Sequence, residues 1–321
     1  MLRELVKTGV AWGLHHSGMG RRSTPFIAGY HRTVDKMPSD ARSTIPSLCV
    51  SVEMLERQLD WIGRRFRFVS LDEIHNPHSQ PVAAVTFDDG YEDFYEYAFP
   101  VLKRKGIPAA VFVVTDLVGS ADLQIHDQLY LLLAKSKPPL DAQYEMNHIL
   151  AMQPQSDVLR LIQSLASGAE INEESARAHR SLTWDQIAKL HSAGITIGSH
   201  TRTHAILPNE AAGKVSTELS GSRAALENWL GAPVRHFAYP CGEFNDATVE
   251  AVEKAGYGFA YTICDHLDSR MPNLTIPRKV LWENSCLDAL GSFSPSIMSC
   301  QVHGLLNRFS PCELNHGGSP C

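Results

Sequence analysis

The chain has 321 residues, a formal net charge of −6, and 44% hydrophobic against 20% charged residues. This supports an ordinary soluble core in one large domain or two small ones, and the acidic balance excludes a nucleic-acid binder, which carries a basic excess. Seven Cys, widely spaced and without a Cys-x-x-Cys pair, argue against a disulfide framework or a zinc ribbon and fit reduced thiols.

In chain order, Leu2, Leu5, Val6 and Val10 fall at helical spacing and predict an amphipathic extension over 1–24, packed on the domain or resting on a membrane surface. Lys7 interrupts its apolar stretch, so no signal-peptide core is evident and the cytoplasm is the expected location. No apolar run reaches the length of a membrane span. The segment 25–31 reads as a strand closed by His31, and 32–48 as a polar loop. Val52, Leu55, Leu59 and Ile62 predict a helix capped by Ser51. The run 82–87 reads as a buried strand that ends in two adjacent carboxylates, Asp88 and Asp89.

A helix over 94–105, stopped by Gly106 and Pro108, leads to a second buried strand over 109–114. Strand, helix and strand in this order predict a parallel crossover unit. Residues 119–181 interrupt the alternation with one or two helical patches and read as an insertion, not a domain. The alternation then resumes. Helix 184–192 and strand 195–199 lead into His200 and His204, and helix 210–230 precedes strand 235–239. Helix 246–255, strand 258–263 and a short strand over 274–276 follow, and the chain ends in an irregular tail, 305–321. This pattern predicts a parallel α/β barrel or open sheet, whose chemistry sits at the C-terminal strand ends. His31, Asp88, Asp89, His200 and Tyr239 each close a predicted strand.

Adjacent carboxylates disfavour joint ionisation, a conflict that a metal or a proton relieves. His200 and His204, four apart, would face the same way on a helical turn. Two His and a carboxylate form a common divalent-metal set with positions left for water and substrate.

The segments Thr86-Phe87-Asp88-Asp89-Gly90 and Ser199-His200-Thr201-Arg202-Thr203-His204 resemble the first two motifs of the polysaccharide deacetylases, the NodB-like carbohydrate esterases of family 4. Pro108 to Val113, Leu182-Thr183-Trp184 and Phe237 to Gly242 fit the surrounding pattern. The Gly29-Tyr30-His31-Arg32 segment is similar to the permuted, exopolysaccharide-deacetylase-like branch. The likeness runs over roughly residues 25–280 outside the insertion, and it places a NodB-like domain over 25–304.

The resemblance implies a distorted parallel (β/α) barrel with a helical insertion, and removal of N-acetyl groups from an N-acetylglucosamine-containing polysaccharide or oligosaccharide. It implies a divalent metal, zinc in most relatives, held by Asp89, His200 and His204, with Asp88 as general base. A backbone N–H at Tyr239 is the expected oxyanion donor. Two positions depart from the family pattern. Ala238 stands where many relatives carry an Arg that holds the catalytic Asp, and Arg278 is the candidate replacement. The C-terminal Leu-x-His motif is matched poorly around His303, so His31 is the candidate proton donor. Cys241, beside the oxyanion strand, is expected to have no nucleophilic role, because metal-activated water needs no covalent intermediate. Two other readings stand beside this one. The first is a hydrolase of small linear or cyclic amides from the same superfamily. The second is a catalytically silent sugar-binding protein, against which the intact Asp88, Asp89, His200 and His204 speak.

Overall fold

Strands that are apolar on every residue cannot leave a face in water, so they pair in parallel under a coat of helices. The computed structural model describes residues 25–168, 170–264 and 266–305, and it follows that rule. Nine strands form one parallel sheet. They are β1 (Phe26–Tyr30), β4 (Arg67–Phe68), β5 (Val82–Phe87), β6 (Ala109–Val113), β7 (Thr196–Ser199), β8 (His236–Ala238), β9 (Phe259–Thr262), β10 (Ile276–Pro277) and β11 (Lys279–Val280). The order is β10-β9-β8-β7-β6-β5-β1-β11, with β4 on β5. The two terminal strands of that order are consecutive pieces of one segment, separated by Arg278. The sheet therefore closes on itself as a nearly complete barrel, which removes the exposed edges an open sheet would carry.

Alternation along each strand sorts side chains between two cores. Ile27, Val82, Ala84, Ala110, Phe112, Ala238 and Tyr261 fill the barrel interior, and Val69, Leu71 and Ile74 pack with them. Their neighbours Phe26, Ala28, Tyr30, Ala83, Val85, Phe87, Val111 and Phe237 point outward beneath the helices. Helix α1 (Val52–Gly63) shows how that coat is read from sequence. Ser51 accepts from the Met54 N–H, and Met54, Leu55, Gln58, Leu59, Trp61 and Ile62 form the buried face. The remaining helices are α2 (Phe99–Lys105), α3 (Ile125–Leu133), α4 (Pro139–Met152), α5 (Gln155–Ala166), α6 (Glu173–Ala178), α7 (Trp184–Ser192), α8 (Ala212–Leu230), α9 (Asp246–Lys254) and α10 (Pro295–Val302). Among the described residues no helix is long and apolar enough to cross a membrane.

Four local expectations need correction. The polar stretch 32–48 opens with strand β2 (Arg32–Val34), paired in parallel to β3 (Cys49–Ser51). Its Arg32 is buried because Asp93 accepts from it at 2.9 Å. The helix expected over 94–105 begins as a π turn, Phe94–Ala98. Pro100 has no N–H to donate back into a regular turn, and the wider ring accommodates it. The insertion holds four helices, α3 to α6, not one or two patches. Three of them share a separate apolar cluster that includes Leu129, Leu132, Met146, Leu150, Val158 and Ile162. The last helix, α10, falls where no element was expected, and a 3-10 turn, Pro272–Leu274, precedes β10. The predicted N-terminal extension, and the C-terminal tail after Leu305, lie outside the described residues.

Candidate active site

Strand parity separates the two neighbouring carboxylates. Asp88 shares the inward parity of Val82 and Ala84, so it continues toward the barrel axis after β5. Its N–H extends the ladder by donating to Tyr30 O at 2.8 Å. The chain then turns sharply through two left-handed residues, Asp89 (φ 70°) and Gly90 (φ 66°). Gly90 is required twice over: for that φ, and because a Cβ there would lie 3.3 Å from the Val113 Cα. A non-glycine residue in the left-handed region is strained, and such strain concentrates at functional loops. The turn aims Asp89 away from Asp88.

Each carboxylate has its own partners. Arg278 grips Asp88 with two parallel bonds, Nη1 to Oδ1 and Nη2 to Oδ2, both 2.7 Å. Its Nη1 also donates to Thr86 Oγ1 at 3.1 Å, and its guanidinium lies 5.2 Å from the centre of the Phe112 ring. Both side chains are buried. Arg278 reaches the axis because it interrupts the segment that closes the barrel. Burial alone would raise the Asp88 carboxyl, but Arg278, His200 and His31 together hold it below its ordinary value.

Asp89 faces three imidazoles instead. His200 Nε2 and His204 Nε2 lie 3.4 and 3.3 Å from its Oδ1, and His126 Nε2 lies 3.6 Å from its Oδ2. Neither oxygen has a hydrogen-bond partner among the described residues. Burial would raise this carboxyl too, yet His126 and then His200 and His204 hold it well below its ordinary value. Asp89, His126 and His204 bring their donor atoms within 4.8 Å of one another. His200 Nδ1 donates to Ala238 O at 2.7 Å, which leaves its Nε2 lone pair facing Asp89. A buried carboxylate without hydrogen-bond donors, ringed by nitrogen donors, suits a divalent metal.

The two motif histidines do not converge through a helix. Residues 200–204 form an irregular loop in which Thr201 (φ 67°) and His204 (φ 60°) are left-handed. Glu218 ties that loop down by accepting from the N–H groups of Arg202 and Thr203 at 2.8 and 3.0 Å.

His31 lies between β1 and β2, with the inward parity of Ile27, and its Nε2 is 4.0 Å from Asp88 Oδ2. Burial lowers its pKa against the opposing pull of Asp89 and Asp88, so the resting imidazole is neutral. His303 follows α10, with its N–H on Ser299 O. The Tyr239 expectation is corrected. Its N–H donates to Tyr261 O at 3.0 Å within the sheet and has no proton to offer an oxyanion. Its hydroxyl points outward, donating to Leu274 O at 2.9 Å. Burial pushes the Cys241 thiol far up, which keeps it protonated and un-nucleophilic.

The sequence reading missed a second set of groups, mostly from the insertion and the loop that carries it. Gln124 donates to Asp89 O at 2.9 Å. Tyr91 O–H donates to Asp127 Oδ2 at 2.6 Å, with His126 Nε2 2.8 Å from the same hydroxyl. Beneath them lie His179, 3.8 Å from Asp127, and the Arg32–Asp93 pair. The His126-Asp127 dipeptide was a visible signal, but nothing local in the sequence ties it to residues 89–91.

A polysaccharide deacetylase family model matches residues 75–260, more than half of the chain. The chain belongs to that family. A poly-beta-1,6-N-acetyl-D-glucosamine N-deacetylase of Staphylococcus epidermidis is 23% identical over 284 residues, covering 84% of this chain and 82% of its own. A Bacillus subtilis protein named YxkH is 24% identical over 184 residues, 57% of this chain. The chain spans 45% of YxkH's length. The Streptococcus pyogenes deacetylase PplD, solved with acetate, shares the fold with a TM-score of 0.59 at 20% identity, covering 86% of this chain and 97% of its own.

Proposed function

We propose that this chain is a metal-dependent hydrolase that removes N-acetyl groups from a polysaccharide or oligosaccharide containing N-acetylglucosamine. The observation that carries the reading is the separation of the two carboxylates. Asp88 is held as an anion by the bidentate Arg278, with His31 Nε2 4.0 Å away, whereas Asp89 faces the Nε2 atoms of His200, His204 and His126. The family match and the printed activity of the Staphylococcus epidermidis relative supply the substrate class.

Asp89, His200 and His204 would hold the ion, and zinc suits this mix of nitrogen and carboxylate donors. When bound, such an ion polarises an amide carbonyl and acidifies nearby water. Asp88 is the general base. Arg278 fixes its orientation and keeps it ionised, so it is ready to take a proton from water. Because its pKa is held low, it passes that proton on readily. His31, neutral at rest and 4.0 Å away, receives it and delivers it to the departing amine nitrogen, which leaves poorly unless protonated. Thr86 and Phe112 brace the guanidinium and so keep the base aligned.

Acetate release from an acetylated β-1,6-linked glucosamine oligosaccharide tests the proposal. Asp88→Asn should keep its metal and lose on the order of 10²–10⁴-fold in rate, while Asp89→Asn should lose metal directly. Equal metal loss in both variants would defeat this division of roles. Hydrolysis of small amides without acetate release from any oligosaccharide would replace the substrate class.

A further inference from the structure

We infer that Gln124, at the entry to the insertion, is a positioning residue for the divalent ion: it holds Asp89 in the left-handed conformation that presents its carboxylate to the imidazoles. This rests on the reading of Asp89 as a metal ligand. Asp89 has φ 70°. That conformation disfavours a residue with a Cβ, roughly fivefold or more in population, so it persists where the surroundings over-determine it. The barrel ladder reaches this turn through the Asp88 N–H on Tyr30 O. The two carbonyls that follow are held from the insertion. Gln124 Nε2 donates to Asp89 O at 2.9 Å, and Leu182 N–H donates to Gly90 O at 2.8 Å where the insertion returns. Glu92 N–H on Arg180 O, also 2.8 Å, and a bridge between Tyr91 and Ser181 fasten that exit to the same turn. Of these bonds, the one from Gln124 falls on Asp89 itself.

The residue type points the same way. Gln124 is the N-cap of α3, where Ser, Thr, Asp or Asn usually accepts from an N–H of the first turn. Its side chain makes no such bond. It reaches across to the Asp89 carbonyl instead. The side chain is fully buried, and its Oε1 has no hydrogen-bond partner among the described residues. A buried acceptor left unpaired destabilises a fold, and a methionine of the same length would avoid that. What the amide adds over methionine is its N–H, and that N–H goes to Asp89. Two residues on, His126 Nε2 donates to the Tyr91 hydroxyl, whose own proton goes to Asp127. The start of α3 thus grips the residues on both sides of Gly90.

The test uses the full chain, with cobalt(II) as the spectroscopic probe and zinc in competition with a chelator. Gln124→Met, which keeps the length and removes the donor, should lose about 10–100-fold in zinc affinity, the usual worth of a group behind a ligand. Its cobalt(II) visible bands should shift, because Asp89 relaxes toward negative φ and its carboxylate moves. Gln124→Asn is the second variant. It can cap α3 but falls one methylene short of the carbonyl, and it should weaken zinc binding in the same way. The metal-free chain should keep its urea midpoint in both. Gln128→Met is the control, since Gln128 donates to Leu123 O at 2.8 Å, outside the turn, and it should bind zinc as the wild type does. Unchanged zinc affinity in either Gln124 variant would overturn the inference and leave Asp89 as a ligand. A loss matched by a fall in the metal-free midpoint, or shared by Gln128→Met, would overturn it too, by making Gln124 a support of the helix alone. No cobalt or zinc uptake by the wild type would overturn the metal-dependent reading, and the inference with it.

Discussion

In the barrel, Asp88 and Arg278 meet because strand parity and the closing segment leave each side chain one direction to take. In the insertion, Gln124 and His126 reach the same loop through side-chain bonds and through an apolar cluster of their own, against which Ile45, Ile206 and Cys241 also pack. The barrel positions its groups with the backbone ladder, which moves as one body. The insertion positions its groups through a docked helix, whose hold depends on packing. The same cavity therefore has a rigid wall and an attached one. The attached wall also carries exposed apolar side chains, among them Leu140, Tyr144 and Met152.

The largest effect should come from the rigid wall. Arg278→Met leaves Asp88 buried and unpaired, which should cost about 3–5 kcal/mol, read in urea melts of the metal-loaded protein. Arg278→Lys should recover part of it, because it restores charge without the fork. A cost below about 1 kcal/mol would show that water, not Arg278, sustains the Asp88 charge. Next comes the attached wall. Leu129 is fully buried in the insertion's cluster, and Leu129→Ala should cost about 2–4 kcal/mol. Hydrogen exchange should show the loss in α3 to α5 while β5 to β7 keep most of their protection. Equal loss in both would merge the two regions into one cooperative unit and break the contrast.

A smaller effect concerns charge on the barrel rim. Burial raises the Glu243 carboxyl from its ordinary value of 4.5 to about 7. The protonated form is thus favoured in the fold. Its contribution is full below the unfolded value and is lost as pH rises through about 7. Glu243→Gln should match the wild type near pH 4 and exceed it by about 1–2 kcal/mol near pH 9, allowing for solvent screening. Denaturant midpoints at the two pH values measure this, and parallel curves would show that the group is hydrated. The smallest effect is expected at Cys241, where barrel loop and insertion meet. Cys241→Ser should keep activity within about tenfold of the wild type, and a loss beyond about a hundredfold, the scale of an essential group, would make the thiol a participant.

These two walls differ in how far they were legible beforehand. Asp88, Asp89, His200 and His204 stand in short segments at the ends of β5 and β7, so residue order exposes them. Even there the reason for convergence was misjudged. A spacing of four would bring His200 and His204 together on a helical turn, but left-handed residues do the work, and Glu218 supplies bonds that no local spacing announces. Arg278 could be nominated from the missing arginine near Pro240, but its grip on Asp88 spans 190 residues. The Arg32–Asp93 pair spans 61, which is why a strand with a buried arginine read as a polar loop. His126 was invisible for the same reason: its partner Asp89 belongs to another element, and the insertion has no period that marks the helix face turned to the cavity. Tyr239 failed differently, since the neighbouring strand β9 extends past the end of β8 and Tyr261 O takes its N–H.

Arg278 sits where the barrel closes, and this has a consequence for how the protein is made. The chain is synthesised from its N-terminus, so Asp88 leaves the ribosome long before Arg278 does. Until the segment 276–280 emerges and docks between β9 and β1, the interior of the barrel lies open and Asp88 has no Arg278 to pair with. One residue therefore marks both the closure of the barrel and the point at which Asp88 gains its counter-ion.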